Sequence, residues 1–284
     1  PQIVVFIDSF FVCSTDSKVF VRCDANNGLS WNALNRFTAE SDPDDISSLV
    51  VFNNKLYVGG SETIEEFYNN AGNFQRTGLF LDKGVSSRFT MIAYSYAKAG
   101  ASFVGFSLPT RTFEYNTVTG KWNERKSKII DTNGAARYIR FRVNSLGTAY
   151  NRVWCGDSQD GRIGVIESDV YEEYGTEILR TCVIQPLTNE GRSLSITRLE
   201  PTFKSGVGTS AVLDPQIRFS YSKNTGDEFG NETTRSLGAM GEYQRRTIWT
   251  RQGRFPREAL FRFTMSDKVE SEFIKLEFRA SGGQ

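Results

Sequence analysis

The stretch of the chain richest in chemistry is "LGAMGEYQRRTIWTRQGRFPRE", residues 237–258. Arg245, Arg246, Arg251, Arg254 and Arg257 fall close together, with acids only at the edges, Glu242 and Glu258. Tyr243, Trp249 and Phe255 are interleaved among them. Guanidinium groups bind carboxylates and phosphates through paired hydrogen bonds, and aromatic faces pack against partners or stack on bases. Three uses fit the mixture: a solvated strand whose charges guard a sheet edge, a protein–protein interface, or a nucleic-acid contact. As a strand, Arg246, Ile248 and Thr250 would alternate with Arg245, Thr247, Trp249 and Arg251, so both faces would carry arginine. That suits an edge or an interface better than a core strand, and "GRFPRE" then reads as a turn. The five arginines are therefore candidate protein-interface residues, with DNA contact secondary.

Other chemistry is scarce. The 284 residues contain no histidine, which excludes Ser-His-Asp and Cys-His catalysis, histidine acid–base work and His-ligated zinc. Cys13, Cys23, Cys155 and Cys182 form no Cys-x-x-Cys pair, so a zinc ribbon is excluded. A hairpin turn at Asp16-Ser17 would pair Cys13 with Phe20 rather than Cys23, which argues for reduced thiols. "ESDPDD" offers Glu40, Asp42, Asp44 and Asp45, but it lacks the glycine of a calcium loop and is stiffened by Pro43, so it reads as a solvated loop. No metal and no cofactor is expected. "SYSKNTGDEFG" has the form of an Asp-box turn, with Ser222, Asn224, Gly226 and Phe229 at the matching offsets. Its role is structural: the polar side chains bond local backbone, glycine takes positive φ and the aromatic packs beneath. "CDANNGLSW" (23–31) is a looser version.

Now consider the elements that must position these residues. The net charge is +1, so any nucleic-acid contact is local. With 22 Phe and 25 Gly, the composition favours strands and turns. No apolar run approaches the roughly 18 residues of a membrane span, and "PQIVVFIDSFF" lacks the charged region of a signal peptide. Four similar stretches, at Phe11, Tyr57, Phe103 and Val153, recur at steps of 46, 46 and 50. Each leads into a second apolar stretch through a polar turn. Hairpin units of about 40–50 residues have the period of β-propeller blades. Residues 1–165 hold about three and a half such units, fewer than the four or more of a closed ring, which predicts further blades upstream of Pro1. From 166 to 284 the repeat is lost. Ile217, Phe219 and Tyr221 oppose Arg218, Ser220 and Ser222; Phe261, Phe263 and Met265 oppose Arg262, Thr264 and Ser266; Ile274, Leu276 and Phe278 oppose Lys275, Glu277 and Arg279. Such alternation puts one face in a core and one in water. The expected fold is all-β: a partial β-propeller over 1–165 followed by an antiparallel β-sandwich over 166–284.

The order of motifs adds a resemblance. "DSFFVCSTDSKVFVRCDANNGLSW" is followed by "FTAESDPDDISSLVVFNNKLYVGGSETIEEFYNNAG", then "VWCGDSQDGRIGVI", then "PQIRFSYSKNTGDEFG" and "SLGAMGEYQRRTIWTRQGRFPREALFRFTMSD". Together these resemble the packaged-DNA stabilisation proteins, the tail accessory factors of short-tailed phages, while residues 85–150 match only as generic strands. The resemblance implies a virion structural protein of the tail, made in the host cytoplasm, with no enzymatic activity and no membrane. It implies a homohexameric ring below the portal and its adaptor that closes the head, stabilises the packaged DNA passing through it, and carries the tail needle and tailspikes. The family's upstream segment, which completes the propeller, has no counterpart here. Two alternatives stay open: a nozzle protein of another tailed-phage lineage, and a glycan-binding or glycan-cleaving propeller, suggested by the Asp-box turns.

Overall fold

The computed structural model describes residues 2–41, 44–88, 90–96 and 101–282. Every regular element among them is a β-strand. The chain divides into two units, Pro1–Ser168 and Asp169–Gln284.

The first unit is four antiparallel sheets in chain order, each a meander. The first sheet holds β1 (Val4–Ile7), β2 (Phe10–Ser14), β3 (Val19–Arg22) and β4 (Arg36–Thr38). The second holds β5 (Ser48–Phe52), β6 (Lys55–Gly59), β7 (Ile64–Asn70) and β8 (Asn73–Leu81). The third holds β9 (Met91–Tyr96), β10 (Ala101–Ser107), β11 (Thr112–Asn116), β12 (Lys121–Ile130) and β13 (Ala136–Arg140). The fourth holds β14 (Val143–Ala149), β15 (Arg152–Asp157) and β16 (Ile163–Ile166). The leading strands lie side by side, β1 against β5, β5 against β9, and β9 against β14. This is the blade arrangement of a propeller, and the sheets are not closed among the described residues.

The repeat has a backbone signature. The hairpin between the second and third strands closes through Thr15 N–H to Val19, Gly60 to Thr63, Leu108 to Arg111 and Asp157 to Arg162. The donors are 45, 48 and 49 residues apart, close to the steps read from the apolar stretches. Apolar seams join successive blades. Val12 and Phe20 of the first sheet meet Leu56, Phe67 and Phe74 of the second. Tyr57 and Ile64 meet Val104 and Phe106. Ile92 and Tyr94 meet Val143 and Cys155. In the first seam Phe20 lies edge-on to Phe67 at 5.1 Å and to Phe74 at 5.9 Å, geometries that aromatic quadrupoles favour. The Cys13 register differs by one residue from expectation: Cys13 faces Val21, and Ser14 faces Phe20. The Thr15 hydroxyl bonds both Ser17 and the Val19 carbonyl, which centres the turn on Ser17. All four cysteines are free thiols.

The second unit opens with a two-residue-turn hairpin, β17 (Glu172–Glu173) and β18 (Thr176–Glu177). Tyr174 and Gly175 both take positive φ there, as such tight hairpins require. Two sheets follow. One has the order β19 (Arg180–Val183), β25 (Glu258–Met265), β22 (Gln216–Ser222), β23 (Thr233–Ser236), with β20 (Leu187–Thr188) also on β25. The other is β24 (Trp249–Phe255), β21 (Leu194–Phe203), β26 (Phe273–Gly282). Ile217, Phe219, Phe261 and Phe263 from the first meet Ile196, Leu199, Trp249 and Phe255 from the second in one core.

Strict alternation fails in two places. Ser220, Ser222 and Thr264 are buried along with Ile217, Phe219 and Phe263, because the loop after β22 folds over the outer face. In β26, Ile274 and Phe278 are 58% and 42% exposed, so the expected apolar face is not a core face. A register irregularity at Thr202/Phe203 leaves Ile274 unpaired and turns it outward, while Phe273 packs on Phe263.

Candidate protein-interaction site

The arginine segment is built differently from the alternating strand expected of it. β24 begins at Trp249, and residues 244–248 have no strand structure. "GRF" lies inside β24, and the bend falls on Pro256 and Arg257. The reason is a bulge. Ile196 pairs with Gly253 and Arg198 with Thr250, so Thr197 faces both Arg251 and Gln252. Arg251 has φ 57° and Gly253 φ 90°, both in the left-handed region. The glycine that suggested a turn is absorbed in this bulge.

All five arginines are exposed. Arg245 follows two consecutive turns over Ala239–Arg245, whose first N–H is capped by the Glu242 carboxylate at 3.1 Å. Arg246 reaches back across the sheet to grip Glu200 with two bonds, 2.6 and 2.9 Å, and Arg198 adds a third at 2.8 Å. The Arg246 guanidinium holds the Glu200 carboxyl below the usual carboxylate range, with Arg198 assisting. Arg251 and Arg254 stand on β24, an edge strand, Arg254 level with Ser195 of β21. Among the described residues Arg245, Arg251, Arg254 and Arg257 form no ion pair.

The aromatics do not join them. Trp249 and Phe255 are buried at 2% and 0% and belong to the sandwich core, where Trp249 packs on Phe219 at 5.1 Å. Only Tyr243 is on the surface. A stacking platform of alternating arginine and aromatic is therefore not formed, and the guanidinium groups stand over a row of Ser and Thr hydroxyls. Sequence reasoning missed the apolar neighbours. Leu213, Met240 and Tyr243 are each about 70% exposed. They are drawn together at Gly206 and Gly208: a Cβ at Gly206 would meet the Tyr243 ring at 2.7 Å, and one at Gly208 would meet the Met240 nitrogen at 2.8 Å and the Leu213 oxygen at 2.6 Å. Gly206, with its positive φ, was the available signal.

The Asp-box residues form a local network. The Ser222 hydroxyl accepts from Asn224 N–H and Gly226 N–H and donates to Asn224 Oδ1, which accepts from Glu228 N–H at 3.1 Å. Gly226 has φ 97°. Phe229 lies against the Arg262 guanidinium at 4.1 Å, and Gly226 sits over Leu260. In "CDANNGLSW", Asp24 accepts from Ser30 Oγ at 2.5 Å and from Asn35 Nδ2 at 3.2 Å. Of the "ESDPDD" acids, Asp42 lies outside the described residues. Asp44 Oδ2 accepts from Glu62 N–H and Thr63 N–H, which ties it to the second blade's hairpin. Among the described residues no three potential metal ligands gather.

One constellation in the first unit was not foreseen. Tyr94 donates to Glu114 Oε1 at 2.5 Å, and Arg125 reaches both, at 2.6 and 3.1 Å. Tyrosine, carboxylate and arginine are the residue types of a covalent glycosidase site. Tyr94 and Glu114 are only 3% and 4% exposed, however, and Phe141 caps the guanidinium at 4.0 Å. The trio is a buried polar tie within the third blade.

Comparison with known proteins agrees with this architecture. Residues 2–100 match the family described as bacteriophage P22 Gp10, beta-propeller, and residues 180–281 match bacteriophage P22 Gp10, beta-sandwich. No curated protein matches. Among solved structures, the computationally designed Ika4 protein is 16% identical, with TM-score 0.36 over 58% of this chain and 89% of that one. An exo-beta-1,3-galactanase from Phanerochaete chrysosporium is 11% identical, with TM-score 0.31 over 97% and 80%. The WD40 domain of SCAP from fission yeast is 9% identical, with TM-score 0.28 over 88% and 64%. These likenesses are too distant to carry an argument about activity. With the propeller and sandwich matches in the same order as the two units, covering most of its length, the chain belongs to the bacteriophage P22 Gp10 family of phage tail structural proteins.

Proposed function

We propose that this chain is a non-enzymatic hub component of a short-tailed phage virion. Copies of it form a closed ring, a hexamer, below the portal and its adaptor. The ring retains the packaged genome once the head is full, and gives the needle and tailspikes their seat. Residues 1–165 act as propeller blades and 166–284 as the sandwich. The observation that carries this reading is the ordered pair of family matches, one on each unit.

The arginine edge supports a role in protein contacts. Its guanidinium groups are exposed and, Arg246 apart, unpaired, and an apolar cluster of Leu213, Met240 and Tyr243 lies beside them. Arginine and tyrosine are enriched among interface residues that dominate binding energy. A net charge of +1 gives no broad phosphate-binding surface. The Asp-box residues Ser222, Asn224, Gly226 and Phe229 serve the fold.

Particles assembled with and without the chain test the proposal. Symmetric density for several copies below the portal, and leakage of DNA from heads lacking the chain, are expected. A single asymmetric copy, or full retention of DNA in its absence, refutes it.

A further inference from the structure

Residues 169–284 carry 16 basic and 16 acidic side chains, yet the charges are not evenly spread. Residues 243–257 hold five arginines and no acid. Residues 169–178, "DVYEEYGTEI", hold Asp169, Glu172, Glu173 and Glu177 and no base. The unit is neutral but polar.

The two poles lie on opposite edges of the sandwich. Residues leading into β24 touch β23: Arg235 Nε donates to the Ile248 carbonyl, and Thr247 bonds the Ser236 carbonyl. β23 and β24 are edge strands of their respective sheets, so the arginines share that edge. The acidic hairpin attaches at the other side. The Arg180 guanidinium, on edge strand β19, lies over the Tyr171 ring at 5.1 Å. Arg180 also bonds Ser271 Oγ, just ahead of β26, the far edge of the second sheet. Lys268 pairs with Glu172, leaving the segment acidic overall. Each pole has an apolar companion: Leu213, Met240 and Tyr243 beside the arginines, and Val170, Tyr174 and Val183, each 41–50% exposed, on the acidic side.

We infer that the arginine edge of one copy docks on the acidic hairpin edge of a second copy. Complementary surfaces at opposite edges of one domain make a head-to-tail contact, which repeats and closes into a ring when the rotation permits. Opposite potentials set partner and register. The bulge at Arg251 and Gly253 disrupts the free edge of β24, so the contact is made by side chains and not by strand addition. This inference rests on the ring reading above and assigns its surfaces.

Charge reversal tests it on the full chain. One variant carries Arg251→Glu and Arg254→Glu; the other carries Asp169→Lys and Glu177→Lys. Sedimentation velocity at low salt should show the wild-type chain self-associating, with affinity falling at least about tenfold in high salt as the charges are screened. Each variant alone should associate at least about tenfold more weakly, because like charges then face each other. An equimolar mixture should recover association, since each reversed edge meets a complementary partner, and that recovery also shows that both variants are folded. Association unchanged in both variants overturns the inference while leaving a ring built through other surfaces. A wild-type chain that stays monomeric throughout overturns it too, and a single copy in imaged particles would overturn the ring reading itself. Duplex DNA retained by the arginine edge of a monomeric chain assigns that edge to nucleic acid and also overturns the inference.

Discussion

Replacing Arg251 with glycine and Arg254 with alanine should separate fold from assembly. Arg251 sits at φ 57°, a conformation that costs an L-residue roughly 1–2 kcal/mol and glycine almost nothing. Glycine also loses about 0.5–1 kcal/mol more chain entropy on folding. The balance is between zero and about 1 kcal/mol in favour of the variant. Arg254 is exposed and forms no ion pair among the described residues, so its truncation should cost no more than about 0.5 kcal/mol. The double variant should therefore be as stable as the parent within about 0.5 kcal/mol, a shift in Tm of a few degrees at most for a unit of this size. Thermal melting followed by circular dichroism measures the fold, and a count of DNA-filled, tailed particles in a complementation assay measures assembly. Stability should hold while particle yield falls. A fall in stability of 2 kcal/mol or more would show that the guanidinium groups hold the sandwich together. Normal particle yield would show that they contact nothing essential.

Three other outcomes are expected. Phe20→Ala, at a fully buried ring in the first seam, should cost about 3–5 kcal/mol in denaturant unfolding, whereas Phe6→Ala, 58% exposed, should cost about 1 kcal/mol or less; equal costs would contradict the seam assignment. Glu200, its carboxyl held down by Arg246, contributes stability that is fully present above the ordinary carboxylate pKa and is lost as pH falls through its lowered folded value. Arg246→Ala should thus flatten the acid limb of the stability profile, and an unchanged limb would mean the pair is idle. Binding to linear duplex DNA near physiological salt should be weak or undetectable; tight binding whose log K falls steeply with log salt, by about 0.9 per phosphate neutralised, would reverse the assignment of the arginine edge.

Much of the fold was legible because its periods are short. Blade spacing survives in sequence because each hairpin turn repeats one backbone closure, at Thr15, Gly60, Leu108 and Asp157. Alternation in β22 and β25 showed which residues enter the core. It could not show that Ser220 and Thr264 are buried as well, since the cover over the outer face comes from a loop with no periodicity of its own. The arginine segment was misread in register. A bulge shifts every later side chain by one, and its only local sign was Gly253. Interleaved Trp249 and Phe255 looked like partners of the arginines because sequence proximity does not reveal which side of a strand a residue takes after a bulge. The exposed cluster at Leu213, Met240 and Tyr243 was hidden because Leu213 comes from a separate loop. Tyr94, Glu114 and Arg125 were likewise hidden by lying on three different strands.

The strand pairings also imply an order of folding. In the blades every pairing is between successive strands, the longest joining Val19 to Thr38, 19 residues apart. Loop-closure entropy for such contacts is small, so each blade can zip as soon as its own strands leave the ribosome. The sandwich cannot. Arg180 pairs with Met265 and Leu194 with Gly282, 85 and 88 residues away. β19 and β21 must wait, unpaired on that side, until β25 and β26 have been synthesised. Pulse-labelled hydrogen exchange during refolding should find the blade amides protected first and those of β19 and β21 last. Because the arginine edge and the acidic hairpin edge are both fixed by these late pairings, a nascent chain presents neither in final form, and premature docking between copies is suppressed until synthesis of both sheets is complete.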